Sequence, residues 1–181
     1  MHLPSNDLCS FPSSSLLFKK QLPTTLINLT TSSQVSALPE NIICCKEKFG
    51  ISNRLVDFGL PLGIVIFMPC GTCFLGLTVW ALADLAGLPV SVFQLIIIMI
   101  MAIIVGIAAP PIPGSALTVI PIMLSICNIP LDYYPVAIIL GTILGYFLPL
   151  LNGFCLQLEM LIIADKLDML DREVLRRPLD E

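Results

Sequence analysis

Charge is what this sequence has least of. Of 181 residues only 12% are Asp, Glu, Lys or Arg, while 56% are hydrophobic and the mean hydropathy is +0.95. Such a balance cannot cover a water-facing surface, which excludes a soluble globular domain. The charges are also segregated: between Phe58 and Leu158 only Asp84 and Asp132 are charged. The nine Lys and Arg are outnumbered by thirteen Asp and Glu and form no basic stripe, so nucleic-acid binding has no electrostatic footprint. A secretory leader is missing too, because Met1 to Thr25 is Ser- and Pro-rich and has no apolar core followed by a small-residue cleavage site. Seven cysteines are an odd number, mostly in apolar surroundings, which argues against a disulfide framework and for small packing residues.

What is present is a series of apolar stretches interrupted by proline and glycine. Residues 1–22 are read as a poorly ordered lead-in. Pro23 to Gly50 is semi-polar, with Thr and Ser in its centre, and suits a bend lining a polar cavity followed by a helix ending at the interface. Phe58 to Ala83 is long enough to cross a bilayer, but Pro69-Cys70-Gly71-Thr72 should break it, since proline removes a donor and clashes with the preceding turn. Val92 to Ile129 contains the apolar tip Pro110 to Ser115. Tyr133 to Ala164 is the last long span, and 169–181 a charged cytoplasmic tail. Lys46, Lys48 and Arg54 precede the first span and Lys166, Arg172, Arg176 and Arg177 follow the last, so both ends are expected on the cytoplasmic side. The uncharged 110–115 tip favours a re-entrant hairpin over two further crossings, giving an all-α membrane protein with broken transmembrane helices and re-entrant hairpins.

Broken helices persist in lipid mainly where they line a substrate or ion site, because each freed N–H or C=O must find a partner. Any one proline is more simply a kink in a packed helix; three breaks, at 30–36, 69–72 and 110–115, shift the balance toward a transporter.

The order TTSSQVSALP, FGISNRLVDFGLPLG, GTCFLGLTVWALADLAGLPVS, GIAAPPIPGSAL and LSICNIPLD resembles the C-terminal half of the dicarboxylate/amino-acid:cation symporter family, the glutamate-transporter homologues, from about Phe18 to about Asp168. The resemblance implies a partial transport domain of elevator type over 23–168, in the cell membrane. Its parts are a hairpin tip at 23–50, a broken span at 58–83, a re-entrant hairpin at 92–129 and a last span at 133–164. It implies substrate contacts from Ser32, Ser33, Thr72, Pro113 and Gly114 and a cation contact at Gly63; where family ligands are lost, the neighbouring Asn152 and Gln157 are candidate substitutes toward the substrate, and Gln157 and Glu159 toward a cation or a coupled proton. The coupling ion would be Na+ or H+, the substrate a small carboxylate or amino acid, with no prosthetic cofactor and no chemical catalysis. The sequence also departs from the family. Where the family's broken span carries Asn-Met-Asp-Gly-Thr, only Met68, Gly71 and Thr72 survive. The acidic, arginine and amide positions of its last span fall near Tyr146, Pro149, Gly153 and Gln157, so the substrate-pairing arginine has no equivalent.

Simpler readings stand beside these. Ser32 and Ser33 suit a capping turn before the helix at Leu38, and Thr72 can satisfy a carbonyl freed by the break. Glu159 is a functional candidate by its apolar setting, or a side chain reaching the interface. Asp84 and Asp132 are read as solvated interface residues beside outer turns. Cys70-x-x-Cys73 has the spacing of a thiol redox pair but no thioredoxin-like context, and the sequon Asn28-Leu29-Thr30 lies on the cytoplasmic-side hairpin and is set aside. The competing overall reading is a truncated or split symporter segment, not transport-competent alone, serving at most as a membrane interaction subunit. Its partners would be the missing N-terminal half or a second copy.

Overall fold

The computed structural model describes residues 12–108 and 115–178. Among them there is no named strand; the chain runs α1 (Ser14–Thr31), α2 (Leu38–Ile43) continued by a π-helical turn (Cys44–Lys48), α3 (Asn53–Ile66), α4 (Pro69–Leu85), α5 (Val92–Ala108), α6 (Ser115–Ile126), α7 (Tyr134–Leu144), α8 (Phe147–Lys166) and α9 (Arg172–Arg176). Two stretches are long and apolar enough to cross a membrane, the α3–α4 run Asn53–Leu85 and α8.

Proline placement explains where helices break and where they do not. Pro23 lies inside α1 and leaves the Lys19 carbonyl without its helical donor, yet the helix continues, and two carbonyls beside it gain side-chain donors. Thr24 Oγ1 donates to Gln21 O at 2.7 Å and Cys44 Sγ to Lys20 O at 3.3 Å. The expected lead-in over 1–22 is therefore corrected for its second part, since helix begins at Ser14. The expected break at 69–72 lies slightly earlier: Phe67 and Met68 leave helical geometry and Pro69 starts α4 as its first residue, where its missing N–H costs nothing. The expected last span over 133–164 divides into α7 and α8 at Gly145-Tyr146. Pro149 cannot donate to the Gly145 carbonyl and its ring crowds that position, which ends α7 there.

Burial on α1 is inside out. Lys20, Gln21, Thr24 and Asn28 are buried while Phe18, Leu22 and Leu26 are about half exposed, at 52%, 42% and 51%. In water this arrangement would be unfavourable on both faces; in lipid it is the expected one, polar groups facing the bundle and apolar groups facing hydrocarbon. The exposed Ile96, Ile100, Ile103, Ile104 and Ile107 of α5 and Ile139 and Ile143 of α7 follow the same logic.

Two apolar cores result. One joins Leu75, Val79 and Leu82 of α4 to Ala102 of α5, Ile120, Met123 and Leu124 of α6, and Ala137 of α7. The other joins Val56, Leu60 and Ile64 of α3 to Leu156, Met160 and Leu161 of α8, with Phe49 and Leu175 closing its base. Helix α8, packed against α1, α3 and α4, links the two.

The base of the second core is built around one buried cation. Lys20 is 2% exposed, and its ammonium donates to Lys48 O at 2.6 Å, Leu175 O at 2.7 Å and Val174 O at 3.0 Å. It thus joins α1, the π-helical turn and α9. All three of its N–H groups are used by backbone carbonyls. Beside it, burial pushes the Cys44 thiol up to about 12, so that side chain is a neutral packing group at physiological pH. Gly50 has φ +73°, and a Cβ there would meet Asp171 O at 2.7 Å. Its carbonyl accepts from Asp171 N at 2.8 Å, and Ile51 bridges Leu170. Residues 169–178 of the expected charged tail are accordingly docked on the base of the second core.

Replacing Lys20 by Met keeps the stem but strands the carbonyls it satisfies. A stability loss of about 1–3 kcal/mol is expected, measured as a lower thermal midpoint of the detergent-solubilised protein. Earlier protease cleavage within 168–178 should accompany it, since Lys20 holds α9; an unchanged midpoint would show that the carbonyls find other donors.

Candidate functional site

The break between α3 and α4 leaves the first N–H groups of α4 without helical partners. One is satisfied from another helix: Asn152 of α8, 3% exposed, accepts from Cys70 N at 2.9 Å through Oδ1. The amide thus acts as an N-cap supplied by a second element. Thr72 Oγ1 donates to Met68 O at 2.8 Å, a carbonyl that also accepts from Thr72 N at 3.0 Å. The same hydroxyl lies against Gly106 of α5, where a Cβ would come within 2.8 Å of it.

One and a half turns further along α8, Gln157 is 1% exposed and donates through Nε2 to Thr24 Oγ1 at 3.0 Å and to Asn41 Oδ1. Between these amides Gly153 gives way to Asn28 of α1; a Cβ on Gly153 would lie 2.5 Å from Asn28 Nδ2. The face of α8 through 152, 153 and 157 is therefore a seam of uncharged polar groups, with α4 at one end and α1 and α2 at the other. Several of its atoms have no protein partner among the described residues, including both amide atoms of Gln21, Asn28 Oδ1 and Asn41 Nδ2.

Of the predicted residues, the structure brings Thr72 and Asn152 together at the α4 break, through Cys70. Gln157 belongs to the α1–α2 contact instead. Ser32 ends α1 in left-handed geometry, with φ 50°, and its hydroxyl is buried without a partner among the described residues. Ser33 is 7% exposed, and its hydroxyl accepts from Ser36 N at 3.4 Å, the geometry of a short capping turn. Gly63 is a close-approach glycine, since a Cβ there would strike the Leu156 side chain; its carbonyl accepts from Phe67 N at 2.8 Å at the end of α3. Glu159 is half-buried and has no ion-pair partner among the described residues. Pro113 and Gly114 lie outside the described residues. No group of three or more metal-type ligands occurs among the described residues.

Sequence reading missed the polar face of α1. Lys20, Thr24 and Asn28 recur every four residues, a period that stacks side chains on one helix face and that could have been found in a helix begun at Ser14. A cavity of about 380 Å³ opens elsewhere, lined by Ala83, Pro89, Gln94, Ile98, Asn128 and Ile129 among others. Ala83 is thirteen positions along α4 from Cys70, roughly 20 Å at helical rise, and none of the predicted site residues lines this cavity.

The family model for the sodium:dicarboxylate symporter family matches residues 12–155. Among curated relatives, the excitatory amino acid transporter 3 of Mus musculus is 29% identical over 127 residues, covering 70% of this chain and 24% of the relative. The serine/threonine transporter SstT of Campylobacter jejuni is 27% identical over 115 residues, covering 64% and 28%. An excitatory amino acid transporter of Onchocerca volvulus is 26% identical over 105 residues, covering 58% and 21%. The chain thus spans about a quarter of the length of these relatives.

The Asn152 cap generates a prediction. Asn152→Ser keeps a short side-chain acceptor near Cys70 N–H and should cost less than Asn152→Leu, which should cost about 1 kcal/mol. In the same seam Gly153→Ala should destabilise, and Asn28→Ala should relieve most of that loss in the double variant. Additive losses in this thermal-melting cycle would show that the two side chains do not meet.

Proposed function

The chain belongs to the sodium:dicarboxylate symporter family, and from that premise we propose that it forms part of a secondary transporter moving a small carboxylate or amino acid together with a cation across a membrane. The observation that carries this reading is the α4 break, capped by Asn152 of α8 and flanked by Thr72. A helix interrupted at membrane depth, with its N–H groups turned toward a polar seam, is the arrangement that binds an anionic group. In this proposal Ser32, Ser33, Thr72, Pro113, Gly114 and Asn152 contact the substrate, and Gly63, Gln157 and Glu159 serve the cation, Na+ by the family's description. Residues 23–50 and 92–129 are hairpins that dip into the bilayer, 58–83 and 133–164 are the crossing segments, and the hairpin-bounded site moves across the membrane as a unit. Both chain ends lie on the cytoplasmic side of a plasma membrane, following the Lys and Arg distribution.

The site's charge favours one substrate class within the family. From Phe147 to Ala164 no Lys or Arg occurs, so a second carboxylate would find no guanidinium to pair with. Amides and helix N–H groups can still hold the single carboxylate of an amino acid with an uncharged side chain.

The test is ligand-induced stabilisation of the purified protein in detergent, with and without Na+. Serine or alanine should raise the thermal midpoint only when Na+ is present, approaching about 2.7 kcal/mol at a hundredfold excess over Kd. The effect should be lost in Thr72→Val, and aspartate should be weaker. If serine, alanine, aspartate, glutamate and succinate all leave the midpoint unmoved in Na+, the reading fails. Binding without uptake in proteoliposomes is expected if these residues work inside a larger assembly.

A further inference from the structure

The cavity of about 380 Å³ lies away from the α4 break, and its walls come from α4, α5 and α6 and the turns that follow α4 and α6. Residues 88–90, just past α4, and 127–129, just past α6, all line it. Helices α4 and α6 end in the same way. Gly87 has φ 69° and Asn128 φ 55°. Leu88 N donates to Ala83 O at 3.0 Å and Gly87 N to Asp84 O at 2.9 Å, while Ile129 N donates to Leu124 O at 2.9 Å and Asn128 N to Ser125 O at 3.3 Å. Each pair of bonds is a Schellman closure, so two helix C-termini, each with a partial negative charge, meet at one cavity. Helix α5 begins at the same place and offsets one of them. Its start is closed locally, since Gln94 N donates to Ser91 Oγ at 3.3 Å and Ser91 N to Gln94 Oε1 at 2.9 Å. The balance that remains is negative. Every lining residue is uncharged, Asp84 beside Ala83 is exposed with no ion-pair partner among the described residues, and no Lys or Arg occurs between Arg54 and Lys166.

We propose that this cavity is a binding site for a cationic amphiphile, a single-chain aliphatic amine. Its ammonium lies at the ends of α4 and α6 and donates to carbonyls that the last turns of a helix leave without helical partners. An alkyl amine stays protonated at neutral pH, as the lysine side chain does. The chain lies against Ile97 and Ile98 and leaves the cavity along α5, where Ile97 is 39% exposed and Ile96 and Ile100 carry the apolar surface outward. The volume lies within the range of small-molecule sites, about 300–1,000 Å³. A fatty acid would bring its carboxylate to the same carbonyls with no cation to offset the repulsion, so the site selects by the sign of the head group. None of the residues assigned to the transported solute lines this cavity, and the inference stands or falls independently of the transport reading.

The experiment uses the full chain in phosphatidylcholine vesicles, whose head groups carry no net charge. Dodecylamine, dodecanol and dodecanoic acid, each bearing a diazirine at the same carbon, are photolysed at neutral pH in separate samples, and adducts are mapped by mass spectrometry. Pepsin is the protease of choice, because no Lys or Arg lies between Arg54 and Lys166. The expected result is that amine adducts concentrate in 83–98 and 126–129, about two- to fivefold above the alcohol, the preference of one uncompensated helix C-terminus. The acid should label least, and excess unlabelled dodecylamine should suppress the signal. Ile97→Trp, which fills the cavity from a partly exposed position, should abolish the concentration. Amine labelling no higher than acid labelling in the parent protein, or adducts spread evenly over the exposed faces of α5 and α7, overturns the proposal. A concentration that survives in Ile97→Trp does so too.

Discussion

Each interruption in a lipid-embedded helix frees backbone groups that hydrocarbon cannot solvate, and the structure of this chain is organised around satisfying them. At the head of α4 the freed Cys70 N–H is taken by Asn152, and beside Pro23 in α1 the Gln21 and Lys20 carbonyls gain side-chain donors in Thr24 and Cys44. Two of these three side chains come from another element, so the interruptions do more than bend the chain. They help fix which helices pair, because the head of α4 is capped by Asn152 of α8. Helix α8 also supplies Gln157 to α1 and α2, which makes it the element against which the α4 break and the α1–α2 pair are both positioned.

Lys20 applies the same rule at the base of the second core. A buried ammonium is expensive unless its protons are all used, and here three carbonyls from two segments use them. Because two of those carbonyls belong to α9, the cost of burying Lys20 and the docking of the C-terminal segment are one free-energy term. The exposed Phe18, Leu22 and Leu26 on the opposite face of α1 complete the arrangement, since a helix carrying its polar stripe inward is stable only if its outer face meets lipid or another apolar surface.

Much of this was legible in the sequence, and the residues show why the rest was not. The scarcity of charge between Phe58 and Leu158 announces an all-helical apolar architecture, and the quoted motifs carry the family resemblance that the match over 12–155 bears out. The break expected at 69–72 lies slightly earlier, and the one at Gly145-Tyr146, inside the expected last span, was not foreseen. Pro69 is a good first residue of a helix, and Pro149 is tolerated as the third residue of α8 but not inside an unbroken helix, so the interruptions fall before Pro69 and at Gly145-Tyr146. The start of α1 was missed because Ser13, Ser14 and Ser15 read as a flexible stretch, while the Lys20, Thr24 and Asn28 stripe has meaning only once α8 is there to receive it. Asn152 was singled out as a substrate group; that it also caps α4 depends on a contact between positions 82 apart, which no local pattern encodes.

The replacement of charge by amide in this seam has a physical consequence. A carboxylate or guanidinium inside a low-dielectric bundle demands a counter-charge in every state the bundle visits, and an unmatched one costs several kcal/mol. Amides that bond one another, as Gln157 does with Asn41, carry no such requirement and leave the interior near neutral with or without a ligand. Glu159, the only charged residue between Asp132 and Asp165, is half-buried two positions from Gln157, toward the end of α8 where Asp165 and Arg172 pair at 2.7 Å. The charge that remains in this part of the chain thus lies toward the end of α8, and the polar seam between α1, α4 and α8 is joined by hydrogen bonds rather than by ion pairs.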